Sequence, residues 1–355
     1  MKQVEKVVII GAGLSGLTLA FELEKKGIRS LVLEAADRIG GRIQTEKGIN
    51  GTPLELGATW FADKHIALTT LIGELSIKKF KQFSSGISIF QTRSFEPPQK
   101  FYTPEPEFPS YRIAGGTQIV IEKLASKLKR STIIKGCKVV KLEEAAAGIT
   151  IQTAMGDVYE AERVCIAIPP ALAGASIQLP KDISPYVRGT LPTVHTWMSG
   201  SIKFVLEYKT PFWRRNGLSG TIFSHAGIVV EMYDHTNFEE NCFGFTGFLN
   251  PGAAAYNLHK RKELVLRQLV ELFGEDFVEP VLYLDKVWDN EFIVSGKQLI
   301  ETPHQNNGHP VFQIAHLKDR LFFCGTETVS HFGGYMEGAV YAALKTAEKI
   351  NSSLE

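Results

Sequence analysis

The residues best suited to chemistry stand near the N-terminus, where segment 11–16 is Gly-Ala-Gly-Leu-Ser-Gly and has the spacing G-x-G-x-x-G. A β-branched run at 6–10 precedes it, and apolar residues recur with helical spacing over 14–26. Between a strand and a helix, Gly11 permits a tight turn, Gly13 lets the backbone approach a pyrophosphate, and Gly16 lets the helix pack closely. The helix N-terminus then offers free N–H donors to phosphate. The spacing predicts a dinucleotide-binding loop.

A carboxylate follows this loop at a suitable distance. Glu34 stands 18 residues after Gly16, at the end of a predicted strand over 30–34. An acid that binds ribose hydroxyls is typically about 20 residues from the loop. A carboxylate here also repels a 2′-phosphate, which argues against NADP. The alternative, a glycine-rich turn with an ordinary surface glutamate, does not explain the spacing of strand, helix and acid, and these residues alone leave NAD and FAD open.

The elements that must position these residues form an α/β pattern. Two parallel strands joined by a helix require a right-handed crossover, which places the 11–16 loop at the carboxyl edge of a sheet. Segment 80–111 contains several prolines and aromatic residues without a clear period, which predicts an irregular excursion. Hydrophobic periodicity predicts further helices at 117–128, 261–273 and 335–350, antiparallel strands at 133–143, 149–154 and 163–168, and strands at 201–208, 242–249 and 321–324.

Composition excludes several classes of function. With 39 basic and 38 acidic residues the net charge is +1, and no basic block indicates a nucleic-acid or membrane partner. The apolar runs are too short to span a bilayer. The four cysteines have no Cys-x-x-Cys spacing, and the nine histidines have neither His-x-His nor His-x-x-x-His spacing, so no metal site is expected. A reducing, cytoplasmic setting is the simplest expectation.

Five further motifs occur in order along the chain. Segment 34–42 fits E-x-x-x-R-x-G-G-R, segment 55–60 fits E-x-G-A-x-W, and segment 112–116 fits R-x-x-G-G. Near the C-terminus, Gly-Thr-Glu at 325–327 precedes Gly-Tyr-Met-Glu-Gly-Ala-Val at 334–340. In these motifs the sequence resembles the flavin-containing amine oxidases, whose relatives include polyamine oxidases, protoporphyrinogen oxidase and phytoene desaturases. The resemblance indicates FAD as the cofactor, and it makes an NAD-dependent dehydrogenase improbable.

The resemblance also implies which residues contact FAD. Arg38 and Arg42 would meet the pyrophosphate, Glu327 the ribityl–phosphate region, and the strand at Val139 the adenine. The helix that begins near Tyr335 would direct its N–H groups at the flavin ring, where negative charge develops on reduction. The cofactor residues implied are Gly11, Gly13, Leu14, Ser15, Gly16, Glu34, Ala35, Arg38, Gly41, Arg42, Gly57, Ala58, Thr59, Trp60, Val139, Gly325, Glu327, Gly334, Tyr335, Met336 and Ala339.

Three catalytic residues are carried over from the resemblance. Lys203 is similar to the family lysine that holds a water near flavin N5, although alternation with Ile202 and Phe204 also fits a solvated strand face. Trp288 is similar to an aromatic residue beside the flavin, or is a core residue. Tyr335 resembles one wall of an aromatic cage that favours an amine nitrogen.

The sequence departs from monoamine oxidases at two places. It has Ser-Gly-Lys-Gln at 295–298, where those enzymes have a flavin-linking cysteine and a second cage tyrosine. Non-covalent FAD and an incomplete aromatic cage are therefore expected. The segment between Trp60 and Arg112 is also short, which predicts a small cap over the substrate cavity.

We therefore predict an α/β protein with two domains. A discontinuous Rossmann-type FAD-binding domain with an antiparallel meander is expected at 1–75, 110–170 and 318–355, and a smaller α+β substrate domain at 76–109 and 171–317. The resemblance implies oxidation of an amine to an imine by hydride transfer to flavin N5, with oxygen as the acceptor. The alternatives are a desaturase or oxidase of an apolar ring or polyene, and a non-catalytic flavin-binding partner protein.

Overall fold

A computed structural model describes residues 4–146, 148–289 and 300–353 of the chain. Its α-helices are α1 Leu14–Lys25, α2 Ile66–Glu74, α3 Gln118–Lys127, α4 Pro170–Ser176, α5 Pro185–Thr190, α6 Phe212–Arg215, α7 Leu258–Phe273 and α8 Met336–Ser352. Its strands are β1 Glu5–Ile10, β2 Ser30–Leu33, β3 Thr45–Lys47, β4 Pro53–Glu55, β5 Lys79–Lys81, β6 Gly86–Gln91, β7 Gln99–Thr103, β8 Tyr111–Ile113, β9 Thr132–Ile134, β10 Val139–Ala145, β11 Gly148–Thr153, β12 Val158–Ile166, β13 Ile202–Tyr208, β14 Leu218–Ser224, β15 Val229–Asp234, β16 Phe243–Leu249, β17 Leu282–Val287 and β18 Leu321–Phe323.

The first sheet has the order β10-β11-β12-β1-β2-β9, and β18 also pairs with β12. Strands β9, β2, β1, β12 and β18 are mutually parallel, whereas β10 and β11 form an antiparallel meander with β12. Strand β1 is apolar and buried over Val7–Ile10, as expected for a parallel strand covered on both faces. Helices α1 and α8 pack together over one face. This is a Rossmann-type sheet built from both ends of the chain.

The second sheet has the order β17-β13-β16-β15-β14-β6-β7. All its neighbouring pairs are antiparallel except β14 and β6. Alternate residues of its strands, such as Phe204 and Met232, form a core with α7 residues such as Leu269. The opposite face, which carries Lys203, is turned toward the first sheet's cavity. The first-sheet strands fall within 5–166 and 321–323, and the second-sheet strands within 86–103 and 202–287.

Two sequence-based expectations about secondary structure were wrong. Segment 80–111 is not irregular, because β6 and β7 form a hairpin that completes the edge of the second sheet. The expected strand 133–143 is two strands: β9 pairs in parallel with β2, and β10 pairs with β11. The chain turns between them at Gly136, whose φ is +67°. Because β-branched residues lie on both sides of the turn, hydrophobic periodicity gave no sign of it.

None of the helices in the described part of the chain is both long and apolar enough to cross a membrane.

Candidate active site

A cavity of about 530 Å³ lies where the two sheets face each other. Its floor lies at the carboxyl ends of β1, β2 and β12, where Ile10, Leu33 and Ala167 reach it. This edge is the expected ligand position in an open parallel sheet. Its other wall carries Lys203 and Phe248 from the second sheet. The volume is in the range of ligand sites that enclose a small molecule or cofactor.

The glycine loop brings α1 to the cavity with its N-terminal donors free. Gly13 caps α1 without a side-chain hydrogen bond, and the first turn carries no acidic residue. Gly11 has φ +106°, which favours glycine. A Cβ on Gly16 would stand 2.0 Å from the Gly11 carbonyl oxygen, so the helix touches the loop there. The loop thus presents bare backbone N–H groups to an anion.

Two glycine variants separate packing from ligand binding. In Gly16→Ala, the new methyl group collides with Gly11, and overpacking of this kind costs about 1–3 kcal/mol or more of unfolding free energy. In Gly13→Ala, the nearest protein atoms are 3.9 Å away and φ is −76°, so the fold is retained. That methyl group instead enters the cavity beside the α1 N-terminus. We expect Gly13→Ala to unfold at the wild-type temperature and to purify without flavin, as absorbance would show.

Glu34 lies in the cavity wall directly after β2. It is 5% exposed, and its two carboxylate oxygens accept hydrogen bonds from Ala12 N–H (2.7 Å) and Ala36 N–H (2.9 Å). These bonds fix both oxygens beside the glycine loop. Val139 lines the same end of the cavity. The glycine loop, the fixed carboxylate and the apolar strand at Val139 fit a cofactor with phosphate, ribose and a flat base.

The arginine pair serves two different purposes. Arg42 lines the cavity and forms a bidentate ion pair with Glu327, with distances of 2.5 and 3.1 Å. Glu327 is fully buried and lies behind Arg42, outside the cavity lining. Arg38 also lies outside the lining and donates to the carbonyl oxygens of Gly41 and Ile43. Arg42 therefore reaches the cavity, whereas Arg38 bonds to the backbone of the 41–43 loop.

Lys203 lies in the cavity wall and not on a solvated face. It is 3% exposed, and its Nζ donates to Gly57 O at 2.6 Å and to Thr59 Oγ1. The ammonium also lies over the rings of Trp60 (4.9 Å) and Phe248 (5.6 Å). Burial lowers the pKa of Lys203 to about 7, with Glu55 opposing the shift and Arg112 adding to it. This amine can therefore change its protonation state near neutral pH.

Other buried charged groups lie beneath Lys203. The Glu55 carboxylate accepts hydrogen bonds from Thr45 Oγ1 and Thr117 N, and burial raises its pKa despite these donors and the Lys203 charge. Arg112 contacts His235 at 2.6 Å, and burial together with the nearby cations lowers the His235 pKa well below its usual value. His235 is therefore neutral and can accept from Arg112. The motifs at 55–60 and 112–116 meet in this cluster.

Side chains of the second sheet hold the backbone of segment 55–57. Thr246 Oγ1 donates to Glu55 O (3.2 Å), Trp288 Nε1 to Leu56 O (2.8 Å), and Lys203 Nζ to Gly57 O. Trp288 also lines the cavity, while it is 7% exposed. The Trp288 side chain is therefore both buried and part of the cavity wall.

An aromatic stack forms part of the cavity wall. Tyr335 is 40% exposed and stacks against Trp197 at a centroid distance of 6.0 Å and against His304 at 5.8 Å. Trp197 and Tyr335 line the cavity. The position expected to replace a second cage tyrosine, near Gln298, and the rest of segment 295–298 lie outside the described residues.

The structure brings most of the expected site residues to this one cavity. Those that line it are Gly11, Gly13, Leu14, Ser15, Glu34, Ala35, Gly41, Arg42, Gly57, Ala58, Thr59, Trp60, Val139, Lys203, Trp288, Gly334, Tyr335, Met336 and Ala339. Gly16, Arg38, Gly325 and Glu327 lie behind the lining. Residues that sequence reasoning missed include Trp197, Met198, Leu172, Ile177 and Phe248. Alternation along the strand 242–249 could have placed Phe248 on the Lys203 face, but Trp197 precedes β13 in a stretch without periodicity.

This fold and this cavity define a dinucleotide-cofactor oxidoreductase with a lysine at its reaction chamber. The family model for flavin-containing amine oxidoreductases matches residues 14–102 and 98–351. The chain therefore belongs to the flavin-containing amine oxidoreductase family, and it is an FAD-dependent oxidoreductase.

Individual relatives agree with this assignment. The chain is 25% identical to "Probable flavin-containing monoamine oxidase A" of Dictyostelium discoideum, over all of this chain and 99% of the relative. It is 24% identical to rat "Amine oxidase [flavin-containing] B", over 97% of this chain and 85% of the relative. The first alignment runs over 459 positions although this chain has 355 residues, so the relative has segments that this chain lacks.

Solved structures show the same fold. Putrescine oxidase bound to putrescine superimposes with a TM-score of 0.82 at 22% identity, over 99% of this chain and all of that chain. Cyclohexylamine oxidase from Brevibacterium oxydans IH-35A superimposes with a TM-score of 0.84 at 20% identity, over the same shares. The predicted α/β class with a Rossmann-type FAD domain is confirmed. The relatives support amine oxidation. They do not favour a desaturase or oxidase of an apolar ring or polyene, or a non-catalytic flavin-binding protein.

Proposed function

We propose that the protein oxidises a small primary or secondary amine to an imine and passes the electrons to molecular oxygen. The amine loses two electrons and two protons, oxygen takes them up as hydrogen peroxide, and the imine hydrolyses in water to a carbonyl compound and either ammonia or an amine. The observation that carries this proposal is Lys203, a buried amine in the wall of a cofactor-sized cavity. Its pKa is lowered to about 7.

Lys203 acts through its Nζ atom. In its neutral form this nitrogen has two N–H bonds, and Gly57 O and Thr59 Oγ1 accept two hydrogen bonds from it. Its lone pair is then available to accept a proton or to hold a water in the cavity. A group whose pKa is close to the working pH is effective in proton transfer. Lys203 therefore positions and exchanges protons during turnover.

The surrounding rings orient the amine and exclude water. The rings of Trp60 and Phe248 contact the Lys203 amine, and the stacked rings of Trp197 and Tyr335 line the same cavity. Ring faces attract a positively polarised nitrogen and bury hydrocarbon at the same time. The chamber thus suits an amine whose carbon skeleton is apolar.

The glycine loop, Glu34, Arg42 and Val139 would hold FAD. When bound, FAD supplies the two-electron acceptor that no amino-acid side chain provides. We propose that it is held without a covalent bond. Of the four cysteines, Cys137 alone reaches the cavity lining, and it lies next to Val139, far in sequence from Lys203 and Tyr335.

The proposal also covers the cellular location, the domain bounds and the kind of partner. All four cysteines are unpaired, which supports a reducing, cytoplasmic location. The strands of the two sheets fall within the proposed FAD domain at 1–75, 110–170 and 318–355 and substrate domain at 76–109 and 171–317, while side chains of 173–194 and 311–312 pack in the core of the first sheet. The sequence has no block of basic residues, which supports a small molecule as the partner over a nucleic acid.

An anaerobic titration tests the function. The purified protein should be yellow, and acid or heat should release all of its flavin into solution. Adding a panel of amines without oxygen should bleach the flavin absorbance, and admitting oxygen should restore it with formation of hydrogen peroxide. A yellow protein that no amine bleaches would contradict amine oxidation while leaving the cofactor assignment intact.

A further inference from the structure

Gln82, in the loop between β5 and β6, is hydrogen-bonded to a tryptophan of the cavity wall. Its Oε1 accepts from Trp60 Nε1 at 2.8 Å. Gln82 is half-buried and does not line the cavity, whereas the Trp60 side chain does. Gln82 also belongs to the short segment between Trp60 and Arg112, outside the motifs shared with the flavin-containing amine oxidases. Any effect of Gln82 on the site must therefore pass through Trp60.

Backbone acceptors fix the direction of the Gln82 amide. Its Nε2 donates to Phe83 O and to Asp234 O, each at 2.8 Å. Because both N–H bonds of the amide are used in this way, the amide oxygen is the atom left to face Trp60. The reversed amide would bring two donors together at the indole and turn its oxygen toward two carbonyl oxygens. The hydrogen bonds therefore admit one orientation of the amide.

The residues that accept from Gln82 are themselves held in place. The Asp234 carboxylate is fully buried and forms a bidentate ion pair with Arg214, with distances of 2.7 and 2.8 Å. It also accepts a hydrogen bond from Trp213 Nε1 at 2.7 Å. The Arg214 guanidinium lies over the Phe83 ring at 3.9 Å. Gln82 is thus attached to a buried network at the end of β15.

The ring of Trp60 makes its other contacts beside the buried lysine. Lys203 Nζ lies over the ring at 4.9 Å, Tyr233 meets the ring in an edge-to-face arrangement at 5.2 Å, and Phe248 lies at 6.4 Å. The indole N–H is the one hydrogen-bonding group of a tryptophan side chain, and a buried donor that loses its acceptor is costly. The bond to Gln82 therefore favours the ring orientation that faces Lys203.

We propose that Gln82 is a positioning residue for amine oxidation, which acts by holding the Trp60 indole in the orientation that faces Lys203. This proposal rests on the proposed function and adds to it a residue that does not itself reach the cavity. Trp288 offers a contrast in the same wall, because its Nε1 donates to a backbone carbonyl, Leu56 O, which no side-chain substitution removes. The acceptor of Trp60 is a side chain, so its role can be tested without altering the cavity wall.

The kinetic test is a double-mutant cycle on the FAD-loaded protein. Gln82→Met keeps the length of the side chain and removes the acceptor. It should slow flavin reduction at saturating amine about tenfold or more, because a small misplacement in an active site has effects of this size. Trp60→Phe removes the indole N–H and keeps an aromatic ring. In that background Gln82→Met should change the rate less than about twofold, since the bond it removes is already absent.

A matched variant controls for the loss of a glutamine. Gln99→Met changes an exposed residue of β7, in the same short segment, and should reduce its flavin at the wild-type rate. All variants should contain as much FAD as wild type, because neither glutamine lines the cavity.

The indole N–H resonances report the position of the ring directly. The chain has four tryptophans, so isotope labelling of their ring nitrogens gives four signals, and Trp60→Phe identifies the one from Trp60. In Gln82→Met this signal should shift. The signal of Trp213, whose N–H is bonded to Asp234, should stay in place. A general distortion of the network would move both signals.

Three results would overturn the role of Gln82. They are a wild-type rate in Gln82→Met, equal losses of rate from this change in the wild-type and Trp60→Phe backgrounds, and an unmoved Trp60 signal. Each can be observed while amines still bleach the wild-type flavin. If no amine bleaches the wild-type flavin, the proposed function itself fails, which is a different outcome.

Discussion

Replacing Lys203 by Met is expected to leave FAD bound and to slow flavin reduction by the amine, flavin reoxidation by oxygen, or both, by about 100-fold or more. Proton transfer by a positioned side chain typically contributes 10²–10⁴-fold, so a change of about this size is expected when it is lost. Met fills a similar volume, and the aromatic contacts with Trp60 and Phe248 need no charge. Stopped-flow absorbance measures the two half-reactions separately.

The pH dependence identifies the group responsible. The Lys203 pKa is lowered to about 7, so Nζ is protonated below this pH and neutral above it. If the neutral amine is the active form, the ratio of the wild-type rate to the Lys203→Met rate should rise with pH through about 7 and level off about one pH unit higher. Taking the ratio removes the ionisation of the substrate amine, which affects both proteins equally.

Lys286→Met is the control for the loss of a lysine. Lys286 is the cross-strand neighbour of Lys203 on β17, and its Nζ donates to Gln44 at 2.7 Å. It does not line the cavity, and its Nζ lies over the Trp288 ring at 4.4 Å, a contact that Met replaces with an apolar one. Wild-type rates are expected for this variant. Normal rates in both half-reactions of Lys203→Met would remove Lys203 from the mechanism.

Replacing Glu327 by Gln is expected to lower both protein stability and FAD affinity. Breaking a buried ion pair costs about 3–5 kcal/mol, and we expect about 2–3 kcal/mol of unfolding free energy because Arg42 is 26% exposed. Arg42 would also lose its bidentate partner and its fixed direction toward the cavity. FAD should therefore dissociate about tenfold more readily, which flavin fluorescence on release would show.

A double-mutant cycle assigns the effect to the pair. If Glu327 acts through Arg42, then Arg42→Gln and Glu327→Gln together should cost less than the sum of the two single changes. Glu144 and Arg320 provide a partly exposed pair at 3.7 Å, and Glu144→Gln should cost less than about 1 kcal/mol. Strictly additive losses in the Arg42 and Glu327 cycle would show that the two residues act separately.

The sequence alone predicted those parts of the site that depend on residues close together along the chain. The glycine loop at 11–16 and the acid at Glu34 are local features, because one strand, one turn and one helix position them. Hydrophobic periodicity likewise predicted α1, β13 and α8 to within a few residues. The motifs at 55–60 and 325–340 indicated FAD through resemblance, before any geometry was known.

Only the tertiary structure decided which residues meet across the chain. Glu327 lies 285 residues from Arg42, and its carboxylate binds that guanidinium. Strand alternation placed Lys203 and Phe204 on opposite faces, but the packing of the two sheets determined that the Lys203 face is the buried cavity wall. The register that pairs Lys203 with Phe248 comes from strands separated by loops. Such contacts depend on sheet order and closure, which local periodicity does not encode.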